Sequence, residues 1–572
     1  MHTRYIRPGL AVVVLSASLL AHGAAISSAA PGSERTEQDV AISDAGSDVR
    51  ESVVRVKVPL PDSAGPHPAA CDWLSYLRYR HVNGPQNAAE ADRILIAQPG
   101  VLEGASAFDT VARNTVAAAA QRGQQVEFWA LDRRSNCLED HTGIEAAVTE
   151  ANPEVAVGYY YRGDSVDGRR FDGYQSGPQV KWLSEMGVEQ TVRDQYDLMA
   201  AELPDKRIRR DKVLCGGHSL GGAVTAYFAQ WDFDGDPGYE QCSGYFALDS
   251  AISPNLPFAL KAELAALISD FSGADSARAA VQAGIIPASV NAPALINPET
   301  MNLLAIAGAA AQIAPEGESS LLQLRNLNIE ASLRLLFSSG IGQALQPGDV
   351  AIRNVRLTNT AALASLLDNN SQPLAFLQAS MGFYSGGPVA DKDFPIPNAV
   401  NSAQRPLTAS LLGPDRYVVP TAHGPLYGWH NYDGLPADVP RASDGQPYTS
   451  PDREVTDVAQ LAGNLADHPL DFTEQYFPTV LLAETVLGPT HLQSHLTHPE
   501  GLTAHHTIDL LGGSGLAVGT EPKPNGTVGT LTTVVAPGYH HLDVLTASAH
   551  QNDNRSEPVS TALADFAVDG ER

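Results

Sequence analysis

The segment that most constrains the fold is the run 212–223, which reads KVLCGGHSLGGA. A short apolar stretch comes first, then Gly-His-Ser-Leu-Gly, and an alanine-rich helical pattern follows from 223 to 230. This order predicts a strand, a sharp turn and a helix, because the glycines at 217 and 221 let the chain reverse and the helix pack closely. Ser219 then stands at a helix N-terminus, whose N–H groups favour a developing negative charge. We interpret Ser219 as a nucleophile; a glycine-rich structural turn is the alternative.

Further stretches with strand character occur along the chain, and many of them alternate with helical patterns. They lie at 53–60, 73–80, 94–97, 126–131, 245–249, 507–511 and 531–536. Helical spacing of apolar residues occurs at 106–122 and 187–203, between successive strands. Strands that alternate with helices pair in a mostly parallel sheet that is covered on both faces. With the strand before Ser219, the sequence predicts an α/β fold with an eight-stranded sheet.

The region 250–506 differs in character, because the alternation of strands and helices stops there. Its Ala/Leu-rich stretches at 258–271, 301–314 and 361–377 predict helices, and 421–450 is loop-like and aromatic. Because strands resume at 507, we predict a large helical cap inserted after the sixth strand, not a separate second domain. The sheet domain then consists of 52–249 and 507–572, and 250–506 is the cap with its aromatic loop.

The first 51 residues predict a targeting signal followed by a polar segment. Arg4 and Arg7 precede an apolar run at 10–20, which is too short to span a bilayer, and small residues at 28–30 provide a cleavage site. We predict a signal peptide at 1–30 and a flexible N-terminus at 31–51, rich in Ser, Asp, Glu and Gly. The protein is therefore expected to be secreted and to have no transmembrane anchor.

Charge and cysteine content narrow the partners and the compartment. The net charge of −28 repels phosphate backbones, so nucleic acid is not expected as a partner. The four cysteines form an even set, which in an oxidising compartment favours two disulfides. Three pairings are open. We prefer Cys215 with Cys242, because they lie on or beside adjacent predicted strands.

A serine nucleophile needs a base, and the chain has a histidine pair after the last predicted strand. The loop reads Gly-Tyr-His-His-Leu-Asp at 538–543, and we predict His541 as the base, with His540 as the alternative. With this loop, the Ser219 motif, 94–100 and 129–136, the chain resembles the α/β-hydrolase-fold serine esterases and lipases, particularly large secreted bacterial members. The resemblance covers about 53–249 and 507–566 and implies the α/β-hydrolase fold.

The resemblance also implies an oxyanion hole made of two backbone N–H groups. One belongs to Leu220, the residue after the nucleophile. The other comes from the loop after the strand at 94–97, where we name Val101, with Gly100 as the alternative.

The acid of the triad is the least defined member. The family's usual position follows the strand at 507–511, but no carboxylate stands directly after that strand. We therefore predict Asp249, at the end of the strand that follows the Ser219 helix, with Asp509 and Glu521 as alternatives. Asp543, two residues after His541, is interpreted as a cap of the next helix.

Two clusters have spacings that suggest cation sites, but neither carries a complete ligand motif. One is a histidine triplet without a cysteine or carboxylate partner in a motif, at His491, His495 and His498. The other is an acidic run that lacks the spacing of an EF-hand, at Asp232, Asp234, Asp236 and Glu240. We predict no metal site and no cofactor.

The predicted function is that of a secreted serine hydrolase that cleaves carboxylic esters through an acyl-enzyme on Ser219. Its partner is a small-molecule or lipid-like ester, and the sequence leaves the oligomeric state open. Alternatives are an amidase or peptidase with the same triad, and a non-catalytic binding protein. The cap helices and the aromatic residues around Trp429 would form either an apolar wall over Ser219, which suits medium or long acyl chains, or the cap's own core.

Overall fold

The structure, a computed structural model, describes residues 34–40, 48–265, 273–292, 296–346, 351–394, 416–421, 424–467, 469–517 and 529–569. The predicted signal peptide and Glu521 lie outside these ranges. None of the described helices is long and apolar enough to cross a membrane.

A nine-stranded sheet forms the centre of the molecule, with the strand order β1-β2-β3-β5-β4-β8-β9-β15-β16. These strands are β1 (Arg35–Asp39), β2 (Val49–Lys57), β3 (Trp73–His81), β4 (Arg93–Gln98), β5 (Val126–Asp132), β8 (Val213–His218), β9 (Gly244–Leu248), β15 (Thr507–Gly512) and β16 (Leu531–Ala536). Two short strands, β6 (Ser165–Val166) and β7 (Arg169–Arg170), pair in a separate hairpin.

The sheet is parallel from β5 to β16, and antiparallel pairs connect β1, β2, β3 and β5. Because parallel strands end at the same edge of a sheet, the loops after β4, β5, β8, β9, β15 and β16 lie together. In open α/β sheets this edge is where ligands bind.

The predicted count of eight strands is wrong by one, because β1 lies inside the segment 31–51 that we predicted to be flexible. This edge strand has the sequence RTEQD, so it lacks the apolar alternation that reveals a strand. Its backbone pairs with β2, and its side chains form ion pairs: Arg35 with Glu202 at 2.8 Å and Glu37 with Arg78 at 3.0 Å.

Helices cover the sheet in two layers. α1 packs against the C-terminal helix α16, and α6 packs against α4 and β8. The helices of the sheet domain are α1 (Asp109–Gln121), α2 (Thr142–Glu150), α3 (Glu154–Val157), α4 (Val188–Glu202), α5 (Lys206–Lys212), α6 (Leu220–Gln230), α15 (Asp543–Thr546) and α16 (Pro558–Asp569). The predicted α/β fold with a mostly parallel, helix-covered sheet is confirmed.

The insertion between β9 and β15 is mainly helical, as predicted. Its helices are α7 (Phe258–Ala265), α8 (Ala274–Gln282), α9 (Pro298–Ile313), α10 (Leu327–Phe337), α11 (Ile341–Ala344), α12 (Asn359–Leu367), α13 (Val458–Ala466) and α14 (Thr479–Leu487). Most of its buried apolar side chains belong to the same core as those of the sheet domain, and a smaller second cluster contains Val281, Ala288, Tyr476 and Val480.

The insertion also contains short strands that the sequence analysis missed. They are β10 (Arg356–Leu357), β11 (Gly382–Ser385), β12 (Val389–Asp391), β13 (Val418–Pro420) and β14 (Leu426–Asn431). β14 lies within the stretch that we predicted to be a loop. The cap is therefore a mixture of helices and small sheets, whose strands are too short to give a clear apolar alternation.

Two disulfides tie the sheet domain together. Cys215 in β8 bonds to Cys242 just before β9, so the preferred pairing is confirmed. Cys71 bonds to Cys137 and links the chain before β3 to the loop after β5.

Candidate active site

Ser219 occupies a strained turn between β8 and α6. Its backbone has φ 55° and ψ −120°, a conformation that L-residues rarely adopt. The turn is tight because both flanking glycines touch other backbone: a Cβ on Gly217 would lie 2.8 Å from the carbonyl carbon of Gly221, and one on Gly221 would lie 2.9 Å from that of Gln98. The predicted strand, sharp turn and helix are therefore present.

Asp249 and His541 meet beside this turn. Asp249 follows β9 directly, and its Oδ2 lies 2.5 Å from Nδ1 of His541. The same carboxylate accepts the N–H groups of Gly512 at 3.1 Å and Leu516 at 2.8 Å. Gly515 leaves the room that this contact needs, because a Cβ there would collide with the carboxylate. Asp249 is thereby held in one orientation, with His541 as its side-chain partner.

The electrostatic environment favours the neutral form of His541. The side chain is 1% exposed. Burial, followed by the charge of the neighbouring His218, lowers the pKa of His541 below its ordinary value, although Asp249 acts in the opposite direction. A neutral imidazole whose Nδ1 faces a carboxylate has its other nitrogen, Nε2, available as a proton acceptor.

The two atoms that a nucleophile–base pair needs are both buried. Ser219 Oγ and His541 Nε2 have no hydrogen-bond partner within the described part of the chain. Ser219 itself is 0% exposed. Ser219 is therefore shielded from solvent in this conformation.

His218, the residue before Ser219, forms a second buried pair that the sequence analysis did not identify. Its Nδ1 lies 2.7 Å from Oε1 of Glu103, and its Nε2 lies 3.0 Å from the carbonyl oxygen of His541. Burial opposes the charge on His218, but Glu103, Asp249 and the carbonyl oxygen of His541 together outweigh burial and raise the pKa of His218. The rings of His218 and His541 lie 4.4 Å apart. His218 thus connects the serine turn, the histidine loop and Glu103.

The loop after β4 is held rigidly at the same edge. The N–H of Gly100 donates to Oε2 of Glu103 at 2.6 Å, so Gly100, the alternative oxyanion donor, already has an acceptor. Arg133 donates to the carbonyl oxygens of Pro99 and of Gly100, the latter at 2.8 Å, and pairs with Glu474 at 2.6 Å. The N–H of Val101 makes no hydrogen bond within the described residues. The predicted donors Val101 and Leu220 are buried.

The alternative site residues have other surroundings. Nδ1 of His540 lies 2.7 Å from Oγ of Ser380, so this ring points to the cap and away from Asp249. Asp509 lies in the middle of β15, paired in register with Ala247 and Thr533, and not in the loop at the sheet edge.

The interpretation of Asp543 as a helix cap is wrong. Asp543 is the first residue of α15 and makes no capping bond. Its carboxylate instead accepts from the His540 N–H at 2.7 Å, and from Ser380 and Thr456 of the cap at 2.8 Å. A buried carboxylate needs several donors, and the cap supplies them. Asp543 therefore ties the histidine loop to the cap.

Among the described residues, neither of the two clusters with suggestive spacings brings three ligand atoms within 4.8 Å of one another. In the histidine triplet each residue has a separate partner: His491 pairs with Asp275 at 2.6 Å, His495 stacks on Trp231, and His498 pairs with Glu500 at 3.1 Å. In the acidic run, Asp236 and Glu240 both pair with Lys206.

The aromatic residues of the cap pack mainly against one another. Trp429 in β14 lies 5.0 Å from the ring of Tyr384 and donates from Nε1 to the carbonyl oxygen of Met381 at 3.1 Å. Tyr384 also packs against Tyr427. These contacts favour the interpretation that the rings form the cap's own core.

Comparisons with known proteins give only weak likenesses. No family model matches the chain, and no curated protein matches it. Among solved structures, the peroxisomal alpha-beta-hydrolase Lpx1 from Saccharomyces cerevisiae is 11% identical, with 94% of this chain and 90% of that chain covered and a TM-score of 0.30.

Two further structures are also weakly similar. The epoxide hydrolase VrEH1 from Vigna radiata is 11% identical, covers 87% of this chain and 95% of its own, and has a TM-score of 0.31. A soluble variant of monoglyceride lipase from Saccharomyces cerevisiae is 11% identical, covers 87% and 92%, and has a TM-score of 0.23. Likenesses this weak carry no argument, so the fold is assigned from the chain's own geometry. The strand order, the parallel crossovers and the strained serine between β8 and α6 identify it as the α/β-hydrolase fold.

Proposed function

We propose that this protein is a serine hydrolase that cleaves carboxylic esters. The observation that carries the proposal is the hydrogen bond between Asp249 and His541, made beside a serine in a strained strand-to-helix turn. Acyl transfer requires a nucleophile, an acid and a base close together. Here Ser219, Asp249 and His541 would take these roles, and they come in this chain order from three separate loops. In the usual order for this fold, too, the serine precedes the acid and the histidine comes last.

The proposed reaction begins when Nε2 of His541 accepts the proton of Ser219 Oγ. The oxygen attacks the ester carbonyl and forms a tetrahedral oxyanion, which the N–H groups of Leu220 and Val101 stabilise. The imidazolium, stabilised by Asp249, returns the proton to the leaving alcohol, and an acyl-enzyme remains. Water, activated by His541, then attacks the acyl carbonyl and releases the carboxylic acid and Ser219.

The test is turnover of p-nitrophenyl esters by the wild type and by S219A. We expect S219A to lose about 10⁶-fold in kcat, since loss of the nucleophile leaves only binding and the oxyanion hole. S276A, which changes an exposed serine in α8, is the matched control and should keep full activity. A folded S219A variant with near-wild-type turnover would refute the proposal.

One observation favours a non-catalytic binding protein as the second candidate. Ser219 Oγ is buried and is not bonded to His541 in this conformation. A fluorophosphonate probe separates the candidates, because it reacts only with an activated serine. We expect time-dependent labelling of Ser219 at neutral pH, and none in S219A. Parallel assays with ester and amide substrates separate an esterase from an amidase or peptidase.

We also propose that the protein is exported. The two disulfides support an oxidising compartment, and the charged, apolar and small-residue regions at 1–30 have the pattern of a signal peptide. The test is to express the full chain and to determine the N-terminal sequence of the exported product. We expect cleavage close to residue 30.

A further inference from the structure

Three side chains from distant parts of the chain converge where the loop after β5 meets the cap. Glu139 and His141 follow β5, and Asp471 belongs to the segment between α13 and α14. His141 Nε2 lies 3.2 Å from Asp471 Oδ1 and 3.6 Å from Glu139 Oε2, and the three atoms all lie within 4.8 Å of one another. Within the described residues, this is the one group of three or more His, Cys, Asp or Glu side chains with such spacing.

Two of the three atoms are buried and have no hydrogen-bond partner among the described residues. They are Glu139 Oε2 and His141 Nε2. The Glu139 side chain is 0% exposed and that of Asp471 is 6% exposed. Buried polar atoms are almost always hydrogen-bonded, and these two have only ion-pair contacts around His141 Nε2, at 3.2 Å to Asp471 and 3.6 Å to Glu139, which leaves them open to a further ligand.

The outer oxygens of the two carboxylates are occupied and hold the side chains in place. Gln475 donates its backbone N–H to Glu139 Oε1 at 2.8 Å and its side-chain amide to Asp471 Oδ2 at 3.3 Å. The inner oxygens are left facing His141. Orientation of ligating carboxylates by such outer hydrogen bonds is typical of metal sites.

Charge and spacing both suit a divalent cation. Two carboxylates with buried oxygens lie beside one partly exposed imidazole, and their negative charge is costly unless a cation or a proton neutralises it. A tetrahedral Zn²⁺ with ligands at about 2.0–2.2 Å separates its ligand atoms by about 3.3–3.6 Å. The two separations from His141, 3.2 and 3.6 Å, are close to this spacing, and the two carboxylate oxygens lie within 4.8 Å of each other.

We propose that Glu139, His141 and Asp471 bind a Zn²⁺ ion that fastens the cap to the loop after β5. The mixed imidazole and carboxylate set suits Zn²⁺ better than Ca²⁺, which prefers oxygen ligands alone. Glu139 and His141 line a surface cavity of about 430 Å³, which gives the ion an entry path and room for a water as fourth ligand.

The position of the site explains what the ion would do. Beside Asp471, the same segment bonds to the loop after β4: the Phe472 carbonyl oxygen accepts the Gly104 N–H at 2.9 Å, and the Leu102 carbonyl oxygen accepts the Glu474 N–H at 2.9 Å. An ion on Asp471 would therefore fix the cap segment that supports this loop. It makes no contact with Ser219, so its role is structural.

The experiment is Zn²⁺ titration of the full protein after removal of metals with a chelator. We expect calorimetry to give one Zn²⁺ per chain, and the melting temperature to rise by a few degrees at saturating Zn²⁺. Ca²⁺ should bind more weakly. Co²⁺ in the site should give the visible absorption of four-coordinate cobalt, which reports the ligands without any activity assay.

Variants decide whether these residues are the ligands. Removal of a residue that only hydrogen-bonds to a metal ligand typically costs about 10–100-fold in metal affinity. We expect E139Q, H141A and D471N each to lose more Zn²⁺ affinity than this. H491A, which removes a surface histidine paired with Asp275, is the control and should bind like the wild type. Wild-type protein that takes up no stoichiometric Zn²⁺, or a folded H141A or E139Q that binds it undiminished, would overturn the proposal. If H141A does not fold, the nearly isosteric E139Q and the wild-type Co²⁺ spectrum give the answer.

Discussion

At the scale of single residues, the carboxylate of Asp249 is the part of the site most open to a direct test. Asp249→Asn removes the charge that stabilises the imidazolium of His541 and places an amide beside Nδ1. In a well-studied serine protease the equivalent change costs about 10⁴ in kcat, and we expect a loss of that order here. Ester turnover by folded variants is the measurement.

The control for this prediction is Asp509→Asn, because Asp509 lies within β15 and not in the loops at the carboxyl ends of the strands. We expect only a mild loss of activity in D509N. High activity in folded D249N together with a large loss in D509N would mean that the acid has been assigned to the wrong residue.

The charge of His218 should affect how the activity depends on pH. Activity needs neutral His541, whose pKa is lowered by burial and then by the charge of His218. Activity should therefore persist below the ordinary histidine range and fall only as the pH drops through this lowered pKa. His218→Gln removes the neighbouring positive charge, so the pKa of His541 should rise and the acid limb of the kcat/KM profile should move to higher pH.

The control for H218Q is H498Q, because the His498 side chain pairs with Glu500 and packs against Tyr239, and neither residue belongs to the triad. Its pH profile should match that of the wild type. An acid limb that stays in place, or moves to lower pH, in folded H218Q would show that His218 does not act on His541 through its charge.

At the scale of secondary-structure elements, the packing of α6 against β4 depends on Gly221. A Cβ at this position would collide with the backbone at Gln98. Gly221→Ala should push the start of α6 away, cost about 1–3 kcal/mol of stability, and reduce kcat by about 100-fold because Ser219 and the Leu220 N–H are displaced. Denaturant unfolding and ester turnover measure the two effects.

Gly463 is the matched control, since it lies inside the helix α13, where a Cβ would meet its nearest neighbour at 3.5 Å. Gly463→Ala should be neutral or stabilise the protein by up to about 1 kcal/mol. If G221A proved as stable and active as G463A, the close approach of α6 to β4 would not be needed for the site.

At the scale of the whole molecule, the disulfides join elements that are distant in the sequence. The bond between Cys215 and Cys242 closes a loop with a sequence separation of 27, and that between Cys71 and Cys137 one of 66. Chain entropy predicts a stabilisation of about 4 kcal/mol for each. C215A/C242A and C71A/C137A should both shift the guanidinium midpoint downward. C215A/C242A should also reduce activity, because it loosens β8, the strand that directly precedes Ser219.

Peptide mapping of the oxidised protein checks the pairing itself. Reduction of both disulfides in the wild type should lower the guanidinium midpoint by about the sum of the shifts seen in the two double variants. A guanidinium midpoint that does not respond to reduction would contradict a stabilising role for these bonds and weaken the case for export.

The sequence predicts those parts of the fold and site that depend on residues close together in the chain. The turn at Ser219 follows from five consecutive residues between a strand and a helix, and most sheet strands follow from short apolar runs. β1 was missed because its residues are polar and its stability comes from pairing with β2 and from ion pairs with Arg78 and Glu202. The small strands of the cap were missed for a related reason: their partners are distant and their apolar patterns short.

Contacts between distant residues were decided only by the tertiary structure. The sequence by itself determined the α/β fold, the position of Ser219 and the histidine pair that contains His541. It left three candidates for the acid, and it did not point to His218 with Glu103, or to Glu139, His141 and Asp471. Such contacts depend on which strands become neighbours and on how the cap returns to the sheet edge. The order of the strands and the path of the cap depend on the burial of a common core, to which residues along the whole chain contribute. A local sequence pattern does not predict them.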